Sequence, residues 1–263
     1  MPAASMSGPV YDERTQTLSL ASLVRVHEGI SQWMNRLISV ASVLQIGEAR
    51  IIGSKLAKVL HAKEALSGPP GRGMRSKPDE MAGMIETLIA PMGKLSSSWP
   101  PSEFKDAVDK YMNQPPSLLA TCGGAGFTVE FPFGNRSSLC QAMADQPHPR
   151  YGNGLFILQS FPVAAMSDVE GQKLALSFNG SELLKKPFGY GFGSYAYREN
   201  TLHFTSFFPN ASYQPGLLPN IYFSCAQRAR EMSVQLTGAD WEEESSSPRR
   251  SPIGRMWGWL KKE

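Results

Sequence analysis

Between Phe127 and Phe223 lie 18 of the chain's 26 aromatic residues, and where that region begins they alternate strictly with other residues. The stretch "GFTVEFPF" puts Phe127, Val129, Phe131 and Phe133 on one side and Thr128 and Glu130 on the other. A period of two fits a half-buried strand. It also pins the register, because a slip of one residue would turn every phenylalanine to the wrong face. Pro132 lacks an amide proton, so the end of this strand is expected at an edge or an exit.

Four more strand candidates follow. "SSLCQAMA" alternates Leu139 and Met143 around Gln141, and "NGLFILQSFPV" is apolar on both faces, as a central strand would be. "YGFGSYAY" and "TLHFTSFF" form a hairpin across the turn "REN". Between the third and fourth strands stands "SDVE", a capping box that predicts a helix from Asp168 toward Lys185, stopped before Pro187. A stripe at helical spacing, Leu218, Ile221, Tyr222, Cys225, Ala229, Met232 and Leu236, predicts another. A helix over Ser102–Met112, with Ser102 as its cap, precedes the sheet.

In front of this half the pattern changes. Residues 1–17 are polar and expected to be disordered. From 18 to 66 no proline occurs, and Leu23, Val26, Ile30, Trp33, Leu37, Val40 and Leu44 recur at steps of three and four. That heptad seam predicts self-association, either as a helical hairpin folding on itself, with a bend at Gly47 or Gly53, or as a coiled coil joining a homodimer. Residues 67–100 read as a linker with a short helix at 80–89, and 237–263 as a flexible tail ending in Trp257, Trp259 and basic residues. The expected fold class is therefore α+β: a five-stranded antiparallel sheet with helices on one face, over residues 101–236, preceded by an N-terminal helical hairpin or coiled coil.

The order helix, three strands, helix, two strands, helix resembles the type III secretion chaperone-like fold, over roughly residues 102–236. It is carried by "GFTVEFPF", "GLFILQSFPV", the "SDVE"-initiated helix, "SYAYRENTLHFTSFF" and "GLLPNIYFSCAQRAREM". The resemblance implies a small effector chaperone or a related regulator, which binds an extended stretch of a partner along its sheet and helix surfaces. Those chaperones are small and acidic, whereas this chain is about twice their size with a neutral core.

Charge narrows the function classes. The net charge is +3, and basic and acidic residues balance at 13 and 11 before position 120, 8 and 7 from there to 236, and 5 and 5 in the tail. A nucleic-acid partner needs clustered Lys and Arg, so none is expected. Cys122, Cys140 and Cys225 are too far apart for a metal pair, and no ligand set is spaced for a metal or another cofactor. The cysteines read as reduced apolar fillers of a cytoplasmic protein. No secretory signal is visible, and the apolar window at 37–46 is half the ~20 residues that a membrane span requires.

No GxSxG elbow or metal motif supports catalysis, so an enzyme with an unrecognised small-molecule pocket is the least favoured class. The chain is expected to be a non-enzymatic, chaperone-like protein-binding module holding a partner polypeptide. The partner-binding candidates on the sheet are Tyr195, Tyr197, Arg198, His203 and Phe207. The alternative is an adaptor that meets a membrane surface or an assembly through Trp257, Trp259 and the lysines beside them.

Overall fold

The structure is a computed structural model and describes residues 5–24, 26, 31–64, 99–112, 119–123, 125–186 and 188–240. All five predicted strands are present and antiparallel: β4 (Gly126–Phe133), β5 (Arg136–His148), β6 (Gly152–Pro162), β7 (Ser194–Arg198) and β8 (Thr201–Pro209). A sixth, β3 (Leu119–Gly123), adds to the outer edge of β4, so the sheet runs β3-β4-β5-β6-β8-β7. "LATCG" has no strict alternation and one large side chain, Leu119, which is why sequence pattern passes over it. Among the described residues the β3 ladder stops opposite Glu130, two residues short of Pro132.

Three helices pack on one face of the sheet: α2 (Pro101–Met112), α3 (Asp168–Leu184) and α4 (Leu217–Thr237). The Phe127 ring meets Phe104 of α2 at 6.3 Å and Tyr222 of α4 at 5.2 Å. Pro101 occupies the first turn of α2, so that helix starts before Ser102. The capping box of α3 is complete, with the Ser167 hydroxyl accepting from the Glu170 amide while the Glu170 carboxylate accepts from the Ser167 amide.

The N-terminal region departs from expectation. Residues 8–12 are not loose but form β1 (Gly8–Asp12), paired with β2 (Thr17–Ala21), and Met6 and Val10 are buried. Leu23 forms an antiparallel bridge with Gly191, and Val26 lies in irregular backbone with its side chain exposed, so neither belongs to a helix. Ile30 and the Trp33 side chain fall outside the described residues, as do the helix predicted at 80–89 and the tail tryptophans Trp257 and Trp259. The helix that does form, α1 (Ser31–Val59), is one unbroken rod through Gly47 and Gly53 and not a hairpin. Its buried stripe is Met34, Leu37, Ala41, Leu44 and Glu48, so Leu37 and Leu44 of the seam face the chain's own core, with Val40 at its margin. Tertiary packing here overrides a heptad whose first two members lie outside the helix.

The β7–β8 turn places Glu199 and Asn200 at φ +51° and +57°, the paired left-handed geometry that matches strand twist in two-residue hairpins. In α3, a Cβ added at Gly171 would stand 2.1 Å from the Tyr197 ring, whereas one at Gly180 would meet nothing within 4 Å. The two glycines therefore answer alanine with opposite signs. Gly180→Ala is expected to raise stability by about 1 kcal/mol through helix propensity. Gly171→Ala is expected to lower it by about 1–3 kcal/mol through overpacking. Denaturant melts of both variants check this, and equal signs would disprove the close approach of α3 to β7.

Candidate functional site

Alternation gives the sheet two unlike sides. Phe127, Val129, Cys140, Ile157, Gln159, Phe204, Tyr195 and Tyr197 point to the helices and are buried. Thr128, Glu130, Leu139, Gln141, Met143, Leu158, Ser160, His203 and Thr205 point the other way and are half-buried, with Arg198 exposed beside them.

Two of the proposed partner-binding residues move to the interior. Tyr195 and Tyr197 pair with Phe204 and Leu202, and so share the helix-facing side. The Tyr195 hydroxyl donates to Glu182 at 2.6 Å, and that of Tyr197 lies at 3.1 Å from the Met166 carbonyl and 2.9 Å from Asn200 Oδ1. Burial and the Glu182 charge push the Tyr195 phenol well above its ordinary pKa. A strand's alternation says which residues share a face; it does not say which face the helices take. Phe207 lies on the open side but is itself buried, its ring 4.8 Å from that of His148 and its amide donating to Ser5.

His203 and Arg198 do stand on the open side. His203 is directly opposite Ser160 on β6, and Nδ1 lies 3.0 Å from the Ser160 hydroxyl. Burial, helped by the Arg198 charge, holds the imidazole below its usual pKa and so favours its neutral form. This serine–histidine pair was not legible from sequence, because the two residues are 43 positions apart and only register joins them.

Beneath the sheet lies a dense polar cluster that sequence reading missed. Arg228 of α4 and Glu182 of α3 are 2% and 0% exposed. Arg228 Nε donates to both Glu182 oxygens at 3.0 Å, and Nη2 donates to Glu182 at 2.6 Å and to the Tyr190 carbonyl at 2.7 Å. Nη1 donates to Gln159 at 2.8 Å, whose own amide donates to the Cys225 carbonyl. The guanidinium carbon lies 3.6 Å from the Phe204 ring centroid. Burial alone would lower the guanidinium pKa, but the charge and hydrogen bonds of Glu182 outweigh it and leave it raised. Arg228 stands three residues after Cys225 and four before Met232, on the buried stripe of α4, so its position was the available signal, while its charge and the 46 residues separating it from Glu182 hid the pairing.

With both charges shut from solvent and holding each other, the cluster ties α3 and α4 to the sheet and does not present an acid or base to a substrate. Beside it the Cys140 and Cys225 thiols are both buried and free, and the neighbouring Cys225 thiol together with burial pushes Cys140 well up, as expected of an unreactive thiol. A second buried cluster joins the N-terminal region to the sheet. Tyr151 and Ser7 donate to the two oxygens of Glu48 on α1, at 2.9 and 3.1 Å, and the His148 ring stacks on Tyr151 at 4.3 Å.

Among the described residues no group of three or more His, Cys, Asp or Glu side chains is placed to hold a metal ion. Comparison with protein-family models, with curated proteins and with solved structures gives no match.

Two outcomes test these clusters. Arg228→Met leaves Glu182 buried and unpaired, and is expected to cost about 3–5 kcal/mol; adding Glu182→Leu should recover part of that loss. Urea melts read both, and a double variant as unstable as the sum of its singles would remove the coupling. Burial raises the Glu48 carboxyl above its ordinary 4.5. The native state then holds the proton to higher pH than the unfolded chain does, so the stability gained from it is full below 4.5 and is lost as pH rises through the folded value. The melting point of Glu48→Gln relative to wild type should climb over that window, and a pH-independent difference would count against it.

Proposed function

We propose that this chain is a non-enzymatic, chaperone-like protein-binding module that holds a segment of a partner polypeptide on the open side of its sheet. The supporting observation is the asymmetry of that sheet. Among the described residues one side is filled by three helices, while the other offers Leu139, Met143 and Leu158 between Thr128, Glu130, Gln141, Ser160, His203 and Thr205, half-buried and mixed in character, with Arg198 at its margin. Such a mixed surface suits an extended or helical segment with apolar anchors and a polar margin. The order of elements that resembles the type III secretion chaperone-like fold agrees with this reading.

Leu139 and Leu158 are the anchors expected to matter, with His203 and Ser160 contributing hydrogen bonds. The full chain at near-stoichiometric ratio should suppress aggregation of a chemically denatured polypeptide diluted into buffer. Leu139→Ser with Leu158→Ser should reduce that suppression tenfold or more while the variant still melts cooperatively, whereas Tyr195→Phe should alter stability alone. Undiminished suppression by the double variant would refute the open side as the binding surface.

A further inference from the structure

The exposed large apolar side chains of the described residues are concentrated on α1 and the residue that follows it. Ile38, Ile46, Leu56, Val59 and Leu60 are five of the twelve, with Val59 at 73% and Leu60 at 58% exposed. The helix has two different sides. Met34, Leu37, Ala41, Leu44 and Glu48 hold its first half against the rest of the chain, and Arg36 Nε anchors it to the Ala211 carbonyl at 2.8 Å. None of the described side chains in its last turns is buried, and there Leu56, Val59 and Leu60 fall at the i, i+3, i+4 spacing that makes one ridge. His61 closes the helix in the left-handed conformation at φ +50°.

Charge identifies what this ridge suits. Lys55, Lys58 and Lys63 are exposed around it, while Glu48 is buried and Glu64 is half-buried. Apolar residues bordered by lysines match an anionic lipid surface, where the side chains enter the acyl boundary and the ammonium groups stay among the phosphates. A second copy of the chain is a poor occupant, since an isologous contact would bring like-charged lysines together. Met34–Val59 is long and apolar enough by length and composition to cross a membrane, but its first half is engaged in the chain's own core. We propose that the Leu56–Val59–Leu60 ridge with Lys55, Lys58 and Lys63 is a docking surface by which α1 attaches the folded chain to an anionic membrane, lying on it and not spanning it.

The site is separate from the open side of the sheet, so it stands whether or not that side binds a polypeptide. The full chain is floated with phosphatidylcholine vesicles that contain phosphatidylserine and with phosphatidylcholine vesicles alone. It is expected to float with the first only, and less as salt rises, since a lysine near such a surface favours binding roughly fivefold. The triple variant Lys55→Glu, Lys58→Glu, Lys63→Glu and the double variant Val59→Ser, Leu60→Ser should each lose tenfold or more of this binding with the melting point unchanged. Absence of flotation, or undiminished flotation of both variants, overturns the proposal. So does flotation lost only with Trp257→Ala, Trp259→Ala, which assigns the contact to the tail. A concentration-dependent dimer dissociated by the Val59→Ser, Leu60→Ser variant, without flotation, also overturns it and gives the ridge to a second copy.

Discussion

The buried pair between Arg228 and Glu182 is the contact on which the arrangement of the helices depends. Two charges at 2% and 0% exposure are tolerable only with nearly every donor and acceptor matched. Glu182 takes three contacts from the guanidinium and one from Tyr195, while Gln159 and the Tyr190 carbonyl complete the set. These partners come from α3, α4, β6, β7 and the segment leading into β7. A shifted helix would leave a charge buried without its mate, which penalises displacement of α3 or α4 from this docking.

The same helix that supplies Glu182 also closes one edge of the sheet. An edge strand presents unpaired amides and carbonyls to any passing chain. On β7 the Tyr195 amide donates to Asn179 Oδ1 at 2.7 Å, and the Tyr197 carbonyl accepts from Gln172 at 2.9 Å. Asn179 is a poor helix residue by propensity, and its place in α3 follows from this use of its side chain. The Gly171 contact with the Tyr197 ring brings the helix close enough for these bonds. At the far end of β7 the bridge between Leu23 and Gly191 continues the covering with the N-terminal segment.

The first half of α1 and the β1–β2 segment are thus part of the same packed body as the sheet. Glu48, Ser7 and Tyr151 join α1, the start of the chain and the β5–β6 turn through one carboxylate, while the last turns of α1 extend past that contact. The two proposed docking surfaces divide in the same way, the polypeptide reading resting on the sheet and the lipid reading on the basic apolar ridge of α1.

Strand positions, the Asp168 helix start and the turn at Glu199–Asn200 were legible because each rests on local chemistry: alternation, a capping box and a tight-turn sequence. The α+β class with an antiparallel sheet follows from those alone. Which side of β7 faces the helices was not local, and so Tyr195 and Tyr197, expected on the outside, belong to the interior. Neither was the partnership of residues far apart in the chain: Ser160 with His203, Glu182 with Arg228, Glu48 with Tyr151. A short strand without alternation, β3, and the hairpin β1–β2 form because neighbours offer them backbone partners, which no propensity records. Periodicity settled where the elements are, and long-range hydrogen bonding and packing decided how they face one another, because side-chain period carries no information about what lies across the interface.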